Sequence, residues 1–368
     1  MVANRAVEVS AVLPAMDEEG TIGVCIEKIK RVFDDKGIAG EVIVADNSGD
    51  RTPVIAKDLG ARVVTPDRRG YGYAYAYAFK HAHGRYIVMG DADDTYDFME
   101  IPELLGPLVK GEADLVIGSR FKGKMEDGAM PRHHRLVGNP ALTGFLNLFF
   151  KAGVSDAHSG FRAISKEALD KLDLRADGME FASEMIIEAV RNGLRIREVP
   201  ISYSKRKNDG SKLSSFSDGW RHLKFMLLHS PNYLFTYPGL ILLCSGLFFM
   251  VSALVSSLNG FVFGAHSMIA GSLLVTVGYQ IMFFGFFTNI YERRGLPKFF
   301  TLEKGATIGA LLILIGLVYV VSLFVGWVTS GFRQLPSIQQ DILGFTAIVL
   351  GLQTFFSSFM LSVIAKGR

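Results

Sequence analysis

Short apolar runs alternate with longer amphipathic segments through the first 230 residues, and after that the polar positions thin out abruptly. Val7–Leu13 is apolar enough for a buried strand, and Thr21–Phe33 places Ile22, Ile26, Ile29 and Phe33 at helical spacing. Glu41–Ala45 predicts a second strand, Pro53–Leu59 a helix and Arg62–Thr65 a third strand. Tyr86–Met89 and Leu115–Ile117 are further strands, each preceded by a helical stretch. Tyr71–Ala78 alternates Tyr and Ala with strand period, yet its Tyr73/Tyr77 and Ala74/Ala78 neighbours favour a helix. Alternation of this kind builds an α/β unit: a mostly parallel sheet covered by helices on both faces. Ligands of such sheets bind beyond the carboxyl ends of the strands.

From Gly239 onward the pattern is that of a bilayer. Gly239–Ile290, Ala306–Phe332 and Ile342–Ala365 contain no Asp, Glu, Lys or Arg. A helix needs about 20 apolar residues to cross the hydrocarbon core, and the first stretch is long enough for two passes with a turn near Asn259-Gly260. Four transmembrane helices are expected, near 239–258, 267–290, 306–328 and 342–364. The chain then divides into an α/β domain at 1–213, an amphipathic juxtamembrane region at 214–238 and a membrane domain at 239–368.

Charge sets the orientation. The 291–305 loop carries Arg293, Arg294, Lys298 and Lys304, and the tail adds Lys366 and Arg368. On the other side 259–266 has no Lys or Arg, and 329–341 has only Arg333. The positive-inside rule therefore puts both termini and the soluble domain in the cytoplasm of a multi-pass membrane protein. A net charge of +3 on 368 residues gives no nucleic-acid footprint. Cys25 and Cys244 lie in different regions, so no disulfide is expected. The N-terminus lacks the pattern of an export signal.

Acids collect at three strand ends. Asp91-Ala-Asp93-Asp94 follows Tyr86–Met89, Asp46-Asn47 follows Glu41–Ala45, and Asp17-Glu18 follows the first strand. Each alone is also what caps a helix or makes a turn. Together they place carboxylates where a ligand would sit, and paired carboxylates suit Mg²⁺ or Mn²⁺ shared with substrate phosphates. Gly70-Tyr-Gly72 is not a dinucleotide motif, because position 75 is Tyr and the segment does not follow the first strand. Arg132-His133-His134-Arg135 is a basic cluster whose adjacent histidines lack the spaced ligands of a metal site. Trp220, Leu223 and Leu227, with Phe216, share a helical stripe suited to the headgroup level, with Arg221, His222 and Lys224 pointing elsewhere. Pro140–Phe150 is a second interfacial element.

In order and spacing these motifs resemble the family 2 glycosyltransferases of GT-A fold, and among them the polyprenyl-phosphate sugar synthases of the dolichyl-phosphate glucose or mannose type. The resemblance is carried by Val12-Leu-Pro14-Ala-Met-Asp17-Glu18, Ala45-Asp46-Asn47-Ser-Gly-Asp50, Gly90-Asp91-Ala-Asp93 and Val116-Ile-Gly-Ser-Arg120. It continues through Asp156-Ala-His-Ser159-Gly160-Phe-Arg162, Val199-Pro200-Ile-Ser-Tyr203 and Arg206-Lys-Asn-Asp-Gly-Ser-Lys212. It implies that Pro14, Asp17, Glu18 and Asp46 hold the nucleoside, and that Asp91 and Asp93 face the donor diphosphate and a Mg²⁺ or Mn²⁺ ion. It further implies that Arg206 and Lys212 bind donor phosphates, that Arg120, Arg135 and Asn139 receive a lipid phosphate, and that Ser159, Gly160 and Arg162 form the sugar pocket.

The chain departs from the family in Asp17 where Asn is usual, in Asn47 where Asp is frequent, and in Thr95 two residues beyond the second aspartate. The expected reaction is an inverting, metal-dependent transfer of a hexose, from UDP-glucose in preference to GDP-mannose, to polyprenyl or dolichyl phosphate. The alternatives are a processive polysaccharide synthase and a non-enzymatic nucleotide-sensing membrane scaffold. The first normally needs a Q-x-x-R-W motif, here reduced to Trp220-Arg221, and the second finds no ionisable pathway in the spans. Oligomeric state is left open, including a homo-oligomer.

Overall fold

A computed structural model describes residues 7–206, 215–255, 257–258, 261–291 and 301–366. The chain forms two compact units that meet in sequence between Met226 and Leu227.

The first unit follows the alternation of the sequence. In chain order it contains β1 (Val9–Ala15), α1 (Ile22–Lys36), β2 (Gly40–Asp46), α2 (Thr52–Asp58), β3 (Arg62–Val64), α3 (Tyr71–Phe79) and β4 (Tyr86–Met89). There follow α4 (Ile101–Val109), β5 (Leu115–Ser119), α5 (Asn139–Phe150), β6 (Arg162–Ser165), α6 (Lys166–Leu169), α7 (Phe181–Arg191), β7 (Ile196–Pro200) and α8 (Ser215–Leu228). The Tyr-Ala repeat is a helix, α3, as its i, i+4 neighbours indicate.

The seven strands lie in the order β3-β2-β1-β4-β6-β5-β7. All pairings are parallel except those of β6, which runs antiparallel to both β4 and β5. Period 2 divides the strands between two cores. Val9, Ala11, Leu13, Val42, Val44 and Val88 face one core with Ile26 and Ile29 of α1 and Leu104 of α4. Val12, Ile43, Ile87, Met89 and Ile117 face the other with Tyr75 of α3, Leu146 of α5 and Met185 of α7.

The α8 helix corrects one expectation. His222 and Met226, one turn apart, are its buried face, while Trp220 is 57% exposed. His222 turns inward because Ser183 Oγ of α7 lies 3.2 Å from its Nδ1 and its ring packs edge-on against His158, centroids 4.6 Å apart. The side chain of Phe216 lies outside the described residues.

The second unit holds four helices long and apolar enough to cross a membrane. They run Asn232–Val255 (a π-turn at Asn232–Thr236 continuing into α9, Tyr237–Val255), Ala265–Tyr291 (α10), Leu302–Thr329 (α11) and Ile338–Ala365 (within α12, Ile338–Lys366). Paired glycines bring neighbouring backbones together. A Cβ on Gly239 would come within 2.8 Å of Gly278 O, and one on Gly246 within 2.6 Å of Gly271 O, which joins α9 to α10. Gly309 with Gly351 and Gly316 with Gly344 do the same for α11 and α12. Hydroxyl bonds link the pairs: Ser272 to Thr346 and Tyr279 to Thr354, each 2.7 Å. The turn expected at Asn259-Gly260 and the basic residues Arg293, Arg294 and Lys298 lie outside the described residues.

Candidate active site

The carboxyl ends of β1, β2, β4 and β5 converge on one edge of the sheet, and the acids read from the sequence line it. The loops after β1 and β2 are stitched together by side chains. Asp17 adopts a left-handed backbone (φ 58°), its N–H donates to Ser48 Oγ (2.8 Å), and its Oδ1 accepts from Gly49 N–H (3.0 Å). Glu18 N–H donates to Thr52 Oγ1 at 2.9 Å, and Glu19 N–H to Asp50 Oδ2 at 3.2 Å. Asp46, the last residue of β2, is buried and accepts from the hydroxyl and the N–H of Ser48 (2.5 and 3.3 Å). Burial pushes its carboxyl above the ordinary range against those two bonds. Pro14 lies one residue from the end of β1, beside Ala45.

The Asp91–Asp94 turn divides its three carboxylates among different tasks. Asp94, left-handed (φ 59°) and buried, is held by Lys28 of α1 at 2.9 Å, so it anchors the turn. Asp93 Oδ1 accepts from Thr95 Oγ1 at 2.6 Å, and its Oδ2 lies 3.6 Å from Arg206 Nε. Arg206 also pairs with Glu18, so one guanidinium spans the ends of β1 and β4. Asp91 Oδ1 accepts from the Tyr71 hydroxyl at 2.8 Å. Burial, and then the charge of Asp93, push the Asp91 carboxyl up; the Tyr71 bond and the charges of Arg120 and Arg206 oppose the shift.

A buried fork stands opposite. Arg120, at the end of β5, gives Nε and Nη2 to Asp156, each at 2.7 Å, and its guanidinium lies 5.2 Å over the Tyr203 ring. One side of its fork is therefore committed within the protein. Arg162, expected with Ser159 and Gly160 at the sugar pocket, lies buried behind the 157–160 segment. It is 1% exposed and spends its guanidinium on the carbonyls of Ser159, Ala182 and Ala157, each at 2.8 Å. Those bonds fix the 157–160 segment, where Gly160 N–H donates to the Tyr96 hydroxyl oxygen at 2.8 Å. Gly160 lies directly behind Asp91, and a Cβ there would be 2.9 Å from Asp91 Oδ2. Within that segment His158 lies 3.4 Å (Nε2) from Ser183 Oγ, and burial followed by the neighbouring His222 drives its pKa well down.

The structure thus brings Glu18, Asp91, Asp93 and Arg206 into one group with Arg120 nearby. Arg135 is exposed on the π-turn His134–Gly138, and Asn139 opens α5 with its amide on Met130 Sδ at 3.3 Å. Lys212 lies outside the described residues. Thr95 is engaged with Asp93. Tyr71, Tyr96 and Asp156 were given no role from the sequence. The usable signal for Tyr71 was its place between two glycines, and for Asp156 its position four residues before the Gly-Phe-Arg run.

Among the described residues no three His, Cys, Asp or Glu side chains form a ready metal cluster. Asp91 and Asp93 stand as neighbouring carboxylates at the sheet edge. They suit a hard divalent cation whose remaining ligands are phosphate oxygens and water.

The profile of Glycosyl transferase family 2 matches residues 10–173, and that of the Glycosyltransferase family 2 C-terminal transmembrane region matches residues 293–365. The chain is 48% identical over 368 residues to the low-salt glycan biosynthesis hexosyltransferase Agl6 of Haloferax volcanii, covering 97% of this chain and 89% of that protein. It is 33% identical over 212 residues to the dolichyl-phosphate hexose transferase of the same organism, over 58% of this chain and 89% of the relative. Among solved structures it is similar to glucosyl-3-phosphoglycerate synthase from Mycobacterium tuberculosis in complex with Mn²⁺, UDP and phosphoglyceric acid. That similarity has a TM-score of 0.50 and 29% identity over 61% of this chain and 78% of that one. This likeness and the mostly parallel mixed sheet agree with the GT-A fold expected from the motifs.

Proposed function

Because the chain belongs to glycosyl transferase family 2, we propose that it moves a hexose from a nucleoside-diphosphate sugar to a polyprenyl or dolichyl phosphate at the cytoplasmic face of a membrane. The observation that carries this reading is the Asp91–Asp93 pair, flanked by Arg206 and Arg120, in a chain that also has four bilayer-length helices. The names of the relatives, a hexosyltransferase and a dolichyl-phosphate hexose transferase, support the hexose and the lipid. UDP-glucose is preferred over GDP-mannose as donor, a choice supported by the UDP and Mn²⁺ of the structural neighbour.

In this reading Pro14, Asp17, Glu18 and Asp46 surround the nucleoside, and the stitched loops after β1 and β2 hold them in place before it arrives. Arg206, with Lys212, is the cation for the donor phosphates; the diphosphate replaces Glu18 and Asp93 as its partner. Asp93 and Asp91 would hold Mg²⁺ or Mn²⁺, which neutralises charge on the departing diphosphate. Ser159 and Gly160 shape the sugar side, braced by Arg162.

The acceptor needs no strong base, because a phosphate monoester is already anionic near pH 7. Positioning and charge compensation suffice, and Arg120, Arg135 and Asn139 are the residues assigned to them. In-line attack by the phosphate oxygen on the anomeric carbon, with the nucleoside diphosphate leaving, inverts that centre. Labelled UDP-glucose and GDP-mannose, each supplied with polyprenyl phosphate with and without Mn²⁺, test the proposal. One donor should yield a chloroform-soluble, metal-dependent product. Label left entirely in water, with the donor consumed, contradicts it.

A further inference from the structure

Gly70-Tyr71-Gly72 opens α3, with Gly70 at its N-cap. In the structure its two glycines lie against the 176–178 backbone. A Cβ on Gly70 would stand 2.5 Å from Asp177 O, and one on Gly72 would collide with Ala176 O and lie 2.7 Å from Phe181 Cβ. The N–H groups of Gly72 and Tyr73 both donate to Asp177 O, at 3.0 and 3.3 Å. Arg68, just before the motif, closes the same contact through an ion pair with Asp177 at 3.0 Å. The close approach fixes the first turn of α3 and delivers the Tyr71 side chain to Asp91.

We infer that Tyr71 is a positioning residue for Asp91, setting the rotation of that carboxylate toward the sugar donor. The hydroxyl holds Oδ1 from one side, and Gly160 backs Oδ2 from the other. Between them the carboxylate is held at one oxygen and closely approached at the other. The Tyr71 ring is itself locked, edge-on to Tyr75 with centroids 5.2 Å apart, and Tyr75 stacks on Phe181. A carboxylate fixed on both sides loses no rotamer freedom when the donor binds.

This inference rests on the transfer reading and refines the role of one side chain within it. Tyr71→Phe keeps the ring and removes only the hydroxyl, so the full-length variant is expected to fold, with a Tm within about 2 °C of wild type. Consumption of UDP-glucose and of GDP-mannose is followed directly, with UDP binding measured by calorimetry beside it. On the donor that wild type uses, kcat/KM should fall roughly 10- to 100-fold, mostly in kcat, while UDP affinity stays within about twofold. In an Asp91→Asn background the same change should add less than about a twofold loss, because the carboxylate it positions is gone. Wild-type kcat in Tyr71→Phe, or full additivity with Asp91→Asn, overturns the assignment. Donor consumption without a lipid-linked product sinks the acceptor reading instead and leaves the Tyr71 result standing.

Discussion

In the first unit several buried or partly buried polar groups are ionisable and tied to a named partner. Asp156 grips Arg120, Arg162 is wrapped by three carbonyls, Asp94 holds Lys28, and Asp91 is bonded to Tyr71. In the membrane unit the buried polar atoms described are of another kind. Thr346, Thr354 and Ser358 return their hydroxyls to the carbonyl four residues earlier (2.6, 2.6 and 2.7 Å), and close glycine pairs set the helix spacing. The difference follows from the solvent. Water at the sheet edge allows charge to be collected and spent on a substrate, whereas hydrocarbon penalises every unpaired charge. Reactivity is accordingly concentrated in one unit, and the other contributes close packing and a hydrophobic exterior.

Substitutions in each unit should therefore fail differently. The largest effect is expected from Asp93→Ala, which removes one of the two carboxylates facing Arg206. Transfer should drop by about 100-fold or more with thermal stability nearly unchanged, and retained activity would remove Asp93 from the site. Asp156→Ala comes next and should act on both stability and rate. It strands the buried Arg120, at a cost of about 3–5 kcal/mol, read as a lowered denaturation midpoint. Gly246→Leu should do the reverse of Asp93→Ala. With Gly271 O and the Val275 backbone in its way, α9 must separate from α10, so stability in detergent falls while turnover per folded molecule is kept.

Asp46→Asn should give a smaller, divided result. A folded-state pKa above the unfolded value means that ionising Asp46 costs the folded state stability as pH rises through that pKa. The amide removes that cost, so Tm near pH 7 should hold or rise while UDP binding weakens. A fall in Tm together with unchanged UDP affinity would show that Asp46 is structural. Ser183→Ala, the mildest, removes one hydroxyl between His158 and His222 and should cost about 0.5–1.5 kcal/mol of stability.

How much of this was legible beforehand depended on range along the chain. The strands β1, β2 and β4 and the helices α1 and α3 announce themselves through local periodicity, and so do the four membrane helices. The acids at the strand ends were legible for the same reason, since a strand's carboxyl end is a local property. What stayed hidden was long-range. β6 is four residues starting with Arg162, and nothing local says that it inserts antiparallel between β4 and β5. Nor does anything local show that Arg162 turns its guanidinium onto three backbone carbonyls. The α8 stripe put His222 on the polar face, because its partner Ser183 lies 39 residues away. Tyr71 was read only for helix or strand, although the glycines beside it already marked a close backbone approach.

The measurement that bears most directly on the account is the mass of the lipid product. The full-length chain, in vesicles containing a polyprenyl phosphate of defined length, is given UDP-glucose or GDP-mannose with Mn²⁺, and the organic extract is weighed by mass spectrometry. The account predicts a single species heavier than the acceptor by one hexose residue, absent with Asp93→Ala. A ladder of repeated hexose additions, or an unmodified lipid while donor is consumed, would contradict it.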